Sequence, residues 1–328
     1  IGLGAQNPKG HGACLLMVAE ALSTAGVTPA DELHIGFGGG GMPANRWAPD
    51  LADGHGRGCA ALVAQLRPDA AVIAKTGWAI SHEEVGLTWI TVEVEGTHTY
   101  VGSRHLLPYR NAIADAAHLI QGLEAWFPRW AEQHRSGLVA PQGVVAAVEG
   151  GWPHAAAFTT ARCRFHLDLR LSPRTTGAEA LAAVEGEVAR LAAEIGASAR
   201  CHQTVVIPGT TTDPADPVIR RCVEAWEAME GRAHQPMAGL SGATDANILR
   251  QAGIPTARVG LPKLAPHRID DDIDFQLGMN SVDVAAVRRR PEPPLGVVLT
   301  PAPTPAPPTG ASPTPAIPAP TGPDQGAQ

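Results

Sequence analysis

The first residues of the chain read as a tight, glycine-rich turn that leads into a helix. In the stretch "GLGAQNPKGHGAC", residues 2–14, the glycines permit unusual backbone angles, and Pro8 suits a first helical turn. Two amides and an ammonium group, from Gln6, Asn7 and Lys9, lie at the tip of the turn. Turns of this kind often line ligand sites in α/β folds. We therefore predict that this corner lines a pocket.

Bulk composition narrows the class of protein. The chain has 328 residues, 44% of them hydrophobic, which is enough for two moderate cores. Lysine plus arginine number 25 against 32 aspartate plus glutamate, and no basic run occurs, so we expect no nucleic-acid partner. No apolar run is long enough to span a membrane. Five dispersed cysteines without a C-x-x-C pair favour a soluble protein of the reducing cytoplasm.

Hydrophobic periodicity predicts an α/β unit at the start of the chain. Apolar residues recur at helical spacing over residues 11–25, and "ELHIGF", residues 32–37, is predicted as a short strand. A helix over "AALVAQL" and a buried strand over "DAAVIAK" follow. This alternation indicates a β-α-β arrangement.

A different pattern begins near residue 87 and predicts an inserted domain. "LTWITVEVEG" alternates as a half-exposed strand, and the elements that follow give the order β-α-β-β-α-β. They are predicted at residues 87–96, 111–135, 143–148, 159–171, 176–195 and 199–206. This order is typical of a ferredoxin-like fold, an antiparallel four-stranded sheet with two helices on one face.

The remaining sequence returns to the first pattern and then changes composition. A helix over residues 217–229, a glycine-rich turn over 239–244 and a strand in "GIPTARVG" are predicted. We therefore expect a catalytic α/β domain in two parts, 1–86 and 208–290, around an inserted lid, 87–207. The last 38 residues, 291–328, hold 13 of the 30 prolines. They are predicted to form a disordered tail, with a polyproline ligand for another protein as the alternative.

Four stretches of the chain together resemble one family of enzymes. They are "GLGAQNPKG", "VEGTHTYVGSRHLLPYRNAI", "FHLDLRLSP" and "LSGATDANILRQAGIPTARVG", and they occur in the family's order. The family is that of the zinc-dependent amidohydrolases and peptidases, which includes acetylornithine deacetylase, succinyl-diaminopimelate desuccinylase, aminoacylase and dimeric carboxypeptidases. The resemblance implies a zinc-peptidase-like α/β catalytic domain with a lid that also forms a dimer. It also implies that this chain begins after the family's first strands.

The resemblance implies a metal site whose ligands are largely replaced here. The family holds two zinc ions, and a glutamate accepts a proton from the attacking water. The bridging aspartate falls at Asn7, the paired glutamates fall in "GGGGMPAN", and the next acidic ligand falls at Lys75. Only the last ligand is kept, as His267. We therefore predict that the chain holds no dinuclear zinc site and at most one divalent metal.

On the substrate side the resemblance is more complete. The family's lid histidine reaches across the dimer to the oxyanion, and an asparagine and an arginine of the lid bind the substrate carboxylate. These positions correspond to His98, Asn111 and Arg170. Thr244 and Asp245 match the turn that lines the pocket floor, and Asn7 and Lys9 are expected to line the pocket.

Each of these residues also has a simpler interpretation. His98 could be an ordinary surface residue, Asn111 could cap a helix, and Arg170 could be a solvated strand residue. The acidic run 270–272 could supply a missing ligand or form a solvated loop. "SHEEVG", with His82, Glu83 and Glu84, could be a displaced metal pair or part of the hinge.

Two functions follow from these observations. The first is a deacylase-like or peptidase-like hydrolase that acts on a small N-acyl amino acid or related amide with a rebuilt or single-metal site. The second is a non-catalytic relative that binds a small carboxylate ligand. Both predict a homodimer.

Overall fold

The computed structural model of the chain describes residues 4–43, 56–75, 77–261, 280, 282 and 284. Within these residues, eight strands form one four-stranded sheet and two two-stranded sheets. Helices cover the larger sheet and one of the smaller ones. The predicted α/β fold class is confirmed.

The four-stranded sheet, called here the lid sheet, has the predicted order of elements. Its strands are β3 (Gly86–Glu95), β4 (Gln142–Gly150), β5 (Arg162–Leu171) and β6 (Ala199–Ile207). They lie in the order β4-β5-β3-β6, and every neighbouring pair is antiparallel. Helices α3 (Ala112–Gln133) and α4 (Gly177–Ile195) contact each other and pack on this sheet. This topology is ferredoxin-like.

The core of this unit lies between the two helices and the sheet. Leu119, Leu123 and Phe127 of α3 pack against Phe165 and Leu167 of β5, and all five are 3% exposed or less. Their spacing along α3 puts them on one face of the helix, while the residues of β5 alternate with outward-facing polar ones. Burial of these side chains stabilises the lid sheet and its helices as one unit.

The prediction that β3 is half-exposed was wrong. All but two of its residues are buried, because β3 lies between two other strands. Its polar residues are buried with hydrogen-bond partners: the Thr88 hydroxyl donates to the Val205 carbonyl at 2.9 Å, and the Glu93 carboxylate accepts from Arg164 at 2.7 Å. The polar residues that alternate with apolar ones in β3 are therefore buried with hydrogen-bond partners and do not face solvent.

The rest of the described chain forms a small parallel sheet between helices, called here the body sheet. Strand β1 (Ala71–Ala74) pairs in parallel with β8 (Thr256–Val259). Helix α5 (Pro217–Glu230) packs on one face, and α2 (Arg57–Leu66) and α6 (Ala246–Gln251) pack on the other. Helix α1 (His11–Thr24) follows the glycine-rich corner.

The strand predicted at residues 32–37 is absent. This segment forms no strand in the structure, and Phe37 is 60% exposed. Strand β1 is also less buried than predicted, since Val72 is 41% exposed. A strand is stable only when a neighbour completes its hydrogen bonds, and no described residue pairs with this glycine-bounded segment.

Two short strands connect the body to the lid sheet. Strand β2 (Glu83–Glu84) leads into β3, strand β7 (Thr210–Thr211) follows β6, and the two pair with each other in antiparallel fashion. The chain segment that enters the lid sheet and the segment that leaves it therefore run side by side. The domain limits proposed above, 1–86, 87–207 and 208–290, lie beside this pair.

Among the described helices, none combines the length and the apolar composition needed to cross a membrane.

The first turn of α4 offers a test of the fold. The Thr176 hydroxyl accepts a hydrogen bond from the Glu179 amide at 3.2 Å, and the Glu179 carboxylate accepts one from the Thr176 amide at 2.7 Å. We expect Thr176→Ala to lower the free energy of unfolding by about 1 kcal/mol, because the Glu179 amide loses its hydrogen-bond acceptor. Urea unfolding measures this change. Thr176→Ser keeps the hydroxyl and serves as the control, and equal losses in both variants would contradict the capping role.

Candidate functional site

The candidate site lies at the carboxyl ends of the two parallel strands of the body sheet. Lys75 follows β1, and Gly260 and Leu261 follow β8. The Lys75 amide donates to the Val259 carbonyl at 2.9 Å, and a Cβ atom on Gly260 would lie 1.3 Å from the Lys75 carbonyl oxygen. Only glycine permits this approach. Ligands of open α/β sheets bind at this edge.

His11, which the sequence analysis missed, joins three parts of the site. It is the first residue of α1 and is 4% exposed, and its Nε2 accepts a hydrogen bond from the Leu261 amide at 3.1 Å. Burial lowers the pKa of His11 to about 4, and this effect outweighs the nearby carbonyls of Gln6 and Lys75. The ring is therefore neutral at pH 7 and ties the corner to the ends of β1 and β8.

The structure brings the glycine-rich corner to the same edge. Residues 5–10 form one wide helical turn, which the Lys9 amide closes by donating to the Gly4 carbonyl at 3.0 Å. Asn7 is half-buried in this turn and the Lys9 side chain is exposed. A Cβ atom on Gly10 would lie 3.3 Å from Leu261, so the corner packs directly on the strand ends. Asn7 and Lys9 therefore belong to the same turn that packs on the strand ends, and their pocket-lining role stays a prediction.

Thr244 and Asp245 lie in the turn before α6, called here the floor turn (residues 239–245). The Thr244 hydroxyl accepts from the Ala246 amide at 3.1 Å. Asp245 is half-buried, and its carboxylate lies close to two glycines. A Cβ atom added to Gly41 would lie 3.7 Å from Asp245 Oδ1, and one added to Gly56 would lie 2.8 Å from the same oxygen. Burial raises the pKa of Asp245, and the positive charge of Lys75 opposes this shift.

Lys75 lies near several charges. Burial lowers the pKa of Lys75, as does the positive charge of Arg258, while Asp245 and Glu84 oppose these effects. The ammonium group is therefore within electrostatic range of the Asp245 carboxylate. The sequence placed Lys75 where the resembling family has an acidic metal ligand.

A buried ion pair lies beneath the floor turn. Glu84 Oε1 accepts from Arg258 Nη1 at 2.9 Å, and the two side chains are 0% and 8% exposed. The same Arg258 nitrogen donates to the Gly242 carbonyl at 3.1 Å. Burial raises the pKa of Glu84, while the positive charges of Arg258 and Arg250 oppose the rise. A charged residue inside the buried strand β8 was the sequence signal for this pair.

The structure supports the hinge interpretation of "SHEEVG" over the metal interpretation. Glu83 and Glu84 form strand β2, and their side chains have partners on different units. Glu83 accepts from the Leu138 amide and from Arg174 at 3.2 Å, while Glu84 pairs with Arg258 of the body sheet. Both carboxylates are thus engaged in structural contacts.

Arg170 lies at the hinge end of the lid sheet and faces the floor turn. It pairs with Leu87 in the β3–β5 ladder, and its guanidinium donates twice to Asp168, at 2.8 Å each. Its third nitrogen, Nη1, lies 3.4 Å from the Ser241 carbonyl. Arg170 is therefore half-buried and paired, because Asp168 balances its charge.

His98 and Asn111 lie at the other end of the lid sheet. His98 is exposed, stacks on Phe158 at 5.5 Å between ring centroids, and donates from Nδ1 to the Thr159 carbonyl at 2.8 Å. Asn111 accepts from the Ile113 amide at 3.0 Å and so caps α3, as the simpler interpretation held. The ladder from Leu87–Arg170 to Glu95–Arg162 spans eight residues, or about 27 Å. One protomer therefore does not bring these two residues to Arg170.

The described residues do not fit a dinuclear zinc site. Within them, no group of three or more His, Cys, Asp or Glu side chains is arranged to hold a metal ion. Asn7 and Lys75 occupy the corner and the strand end, and residues 38–41 are all glycines, of which Gly41 lies beside Asp245. Neutral amides and an ammonium cannot offset the charge of two dications. His267 and the acidic run 270–272 lie outside the described residues.

The fold is shared with known peptidases and amidases. An aminopeptidase PepT from Bacillus cereus aligns with a TM-score of 0.57 and 16% identity, over 90% of this chain and 71% of that one. An amidase of the hydantoinase/carbamoylase family from Burkholderia multivorans aligns with a TM-score of 0.55 and 19% identity, over 88% and 76%. The di-peptidase Dug1p from Saccharomyces cerevisiae aligns with a TM-score of 0.51 and 11% identity. This alignment covers 75% of this chain and 64% of that one.

These similarities define the chain as a protein of the α/β peptidase and amidase fold. No family model matches the sequence. The deacetylase and desuccinylase subfamilies named in the sequence resemblance therefore stay a prediction.

The neutral His11 ring predicts a pH dependence of stability. The pKa of His11 is lower in the folded chain, about 4, than its ordinary value of 6.5, so the unfolded chain binds more protons between these values. Stability from this group is present above pH 6.5 and is lost as the pH falls towards 4, by up to about 3 kcal/mol. His11→Gln keeps a hydrogen-bond acceptor but does not titrate. We therefore expect its free energy of unfolding to depend less on pH between 4 and 6.5.

Urea unfolding at several pH values measures the difference between the two proteins. His105→Gln, at an exposed position, is the control and should follow the unsubstituted chain. Parallel curves for the chain and its His11→Gln variant would contradict the assignment.

Proposed function

We propose that the chain is a hydrolase of the peptidase and amidase type that acts on a small N-acyl amino acid or a related amide. The observation that carries this proposal is the fold, which aligns over about nine tenths of the chain with both an aminopeptidase and an amidase. The candidate site supports it, since polar groups from the corner, the strand ends and the floor turn meet at one edge of the body sheet.

Substrate recognition in this proposal uses both units. Thr244 and Asp245 form the floor, and Asn7 and Lys9 line one side. Arg170 lies over the floor turn through its contact with Ser241, and its partner Asp168 fixes the plane of the guanidinium. A substrate carboxylate near Nη1 would compete with the Ser241 carbonyl for this donor.

We further propose that the functional unit is a homodimer. His98 and Asn111 lie about 27 Å along the lid sheet from Arg170, so they reach a substrate only in the site of a second copy. Strand β4 is the edge of the lid sheet, and its Val144 and Val148 are 46% and 61% exposed. An open edge with apolar side chains suits an isologous contact between two copies.

The hydrogen bond of His98 sets its role in this dimer. Because the Thr159 carbonyl accepts from Nδ1, the neutral ring has only a lone pair at Nε2. His98 therefore accepts a proton or hydrogen bond when neutral, and it donates to an oxyanion only as the imidazolium.

A second candidate function is the binding of a small carboxylate ligand without hydrolysis. The specific observation is the replacement of acidic groups by Asn7 at the corner and Lys75 at the end of β1. In this case the site keeps its shape and ligand contacts, while no described carboxylate serves as general base beside a metal. The two candidates differ in metal content and turnover.

Metal content and hydrolysis distinguish these functions. We expect elemental analysis after dialysis against zinc to find fewer than two metals per chain, because the described donors cannot neutralise two dications. If one zinc is held, we expect zinc-dependent hydrolysis of N-acetyl amino acids, N-carbamoyl amino acids or dipeptides, and loss of both metal and turnover in His267→Ala. His105→Ala is the matched control.

Two tightly held zinc ions would overturn the predicted metal content. Absence of metal and of turnover, with the carboxylate compounds still bound, would establish the second candidate.

Light scattering tests the dimer. We expect the purified chain to have twice the monomer mass, and Val148→Lys on the β4 edge to shift it towards the monomer, because a buried lysine charge disfavours the contact. Val206→Lys on the opposite edge strand β6, at 46% exposure, is the control. A monomer at micromolar concentration would contradict both the dimer and the role of His98 in a second site.

A further inference from the structure

Two loops form an exposed surface at the end of the lid sheet that is far from the hinge. They are residues 97–110 and 151–161, called here the distal surface. The Val101 amide donates to the Ala157 carbonyl at 2.8 Å, so backbone hydrogen bonding joins one loop to the other. The side chains of both loops are therefore held in one arrangement.

The apolar side chains of the distal surface are exposed as a group. The Phe158 ring centroid lies 5.5 Å from that of Tyr100 and 5.5 Å from that of His98. Trp152 lies in the same loop as Phe158, and its ring centroid is 6.3 Å from that of His154. Six apolar side chains of the two loops are 48–70% exposed: Tyr100, Val101, Leu106, Leu107, Trp152 and Phe158. A clustered apolar surface of this kind marks a binding site.

The distal surface carries positive charge and no negative charge. Neither loop contains aspartate or glutamate, although the whole chain has 32 acidic residues. Arg110 pairs with Asp115 of α3, while the Arg104 guanidinium lies 4.5 Å from the centroid of the Tyr109 ring. An apolar segment with a small negative charge would therefore complement this surface.

The proline-rich end of the chain has the matching composition. Residues 291–328 contain two acidic residues, Glu292 and Asp324, and no lysine or arginine. Their densest proline stretch is "PAPTPAPP", residues 301–308, in which five of the eight residues are proline. Such sequences favour the polyproline II helix, which binds to surfaces lined by aromatic side chains.

This proline stretch is long enough in reach to contact the distal surface of its own chain. The last described residues lie at the glycine-rich corner, where Asn280 Oδ1 accepts from the Gly4 amide at 2.9 Å. Pro301 follows residue 284 by 17 positions. A chain of that length extends up to about 55 Å, roughly twice the length of the lid sheet.

We infer that residues 301–308 dock on the distal surface of the same chain, with proline rings against Tyr100, Phe158 and Trp152. Tethering gives this stretch an effective concentration on the order of 1 mM, so a contact with a Kd of about 0.1 mM is about 90% occupied. The docked stretch lies beside His98, which stacks on Phe158. The inference goes beyond the proposed hydrolysis, because it involves neither metal nor turnover.

Distances between two spin labels test the docking in the full chain. One label is attached at His105→Cys on the distal surface and the other at Thr304→Cys in the proline stretch. The five native cysteines are buried or half-buried, which favours labelling at the two introduced thiols. The labelled chain is diluted into an excess of unlabelled chain, so that only two labels on one chain are measured. We expect a short and narrow distribution of distances.

Variants of the distal surface show which side chains make the contact. We expect Trp152→Ala to lower the ratio of docked to undocked chain about tenfold, so that the narrow component falls from about 90% to about half. Phe37→Ala removes an exposed aromatic ring of the body and is the matched control. Thermal melting of each variant shows that it is folded.

Variants of the proline stretch leave the body and the lid unchanged. We expect Pro303→Gly combined with Pro305→Gly to reduce the narrow component as Trp152→Ala does, because glycine removes the preference for polyproline II. Pro315→Gly combined with Pro318→Gly, outside the stretch, is the control.

A mixture of chains labelled only at position 105 with chains labelled only at position 304 tests docking on a second copy. The inference is overturned if narrow distances appear only in this mixture, which would assign the distal surface to another chain. It is also overturned if the doubly labelled chain gives only a broad distribution, or if Trp152→Ala and Phe37→Ala behave alike. Failure of hydrolysis alone leaves it standing, because the label distances do not depend on turnover.

Discussion

The buried ion pair between Glu84 and Arg258 joins the three parts on which the site depends. Glu84 belongs to the strand that leads into the lid sheet, Arg258 belongs to the body sheet, and the same guanidinium holds the Gly242 carbonyl of the floor turn. Removing one partner of such a pair leaves an uncompensated buried charge, which typically costs about 3–5 kcal/mol. The orientation of the floor turn therefore depends on the same interaction as the connection between the two units.

The architecture could be predicted from the sequence where the pattern was strong. The order β-α-β-β-α-β, the helix starts at Asn111 and Thr176 and the strand over residues 256–259 all follow from periodicity and capping residues. The strand at 32–37 failed because apolar alternation does not show whether a neighbouring strand exists. The burial of β3 was missed because Thr88 and Glu93 read as solvent-facing, although cross-strand partners satisfy them.

The site was predictable only in part. The corner, the floor turn and the lid positions carry short motifs, and the structure brings Asn7, Lys9, Thr244, Asp245 and Arg170 to one edge of the body. The separation of His98 and Asn111 from Arg170 depends on strand register, which a single sequence does not contain. His11 and Arg258 have no motif, since their roles come from contacts with Leu261 and Glu84, residues that are distant in sequence.

The pairing of β2 with β7 constrains how the two units can move. The two segments that cross between the body and the lid sheet are joined by backbone hydrogen bonds, so one cannot shift along its axis without breaking its pairing with the other. A second set of contacts lies beside this pair, since the Ala140 amide donates to the Leu240 carbonyl and the Gln142 side-chain amide donates to the Ser241 hydroxyl. Any change in the angle between the lid sheet and the floor turn would therefore have to break these contacts together.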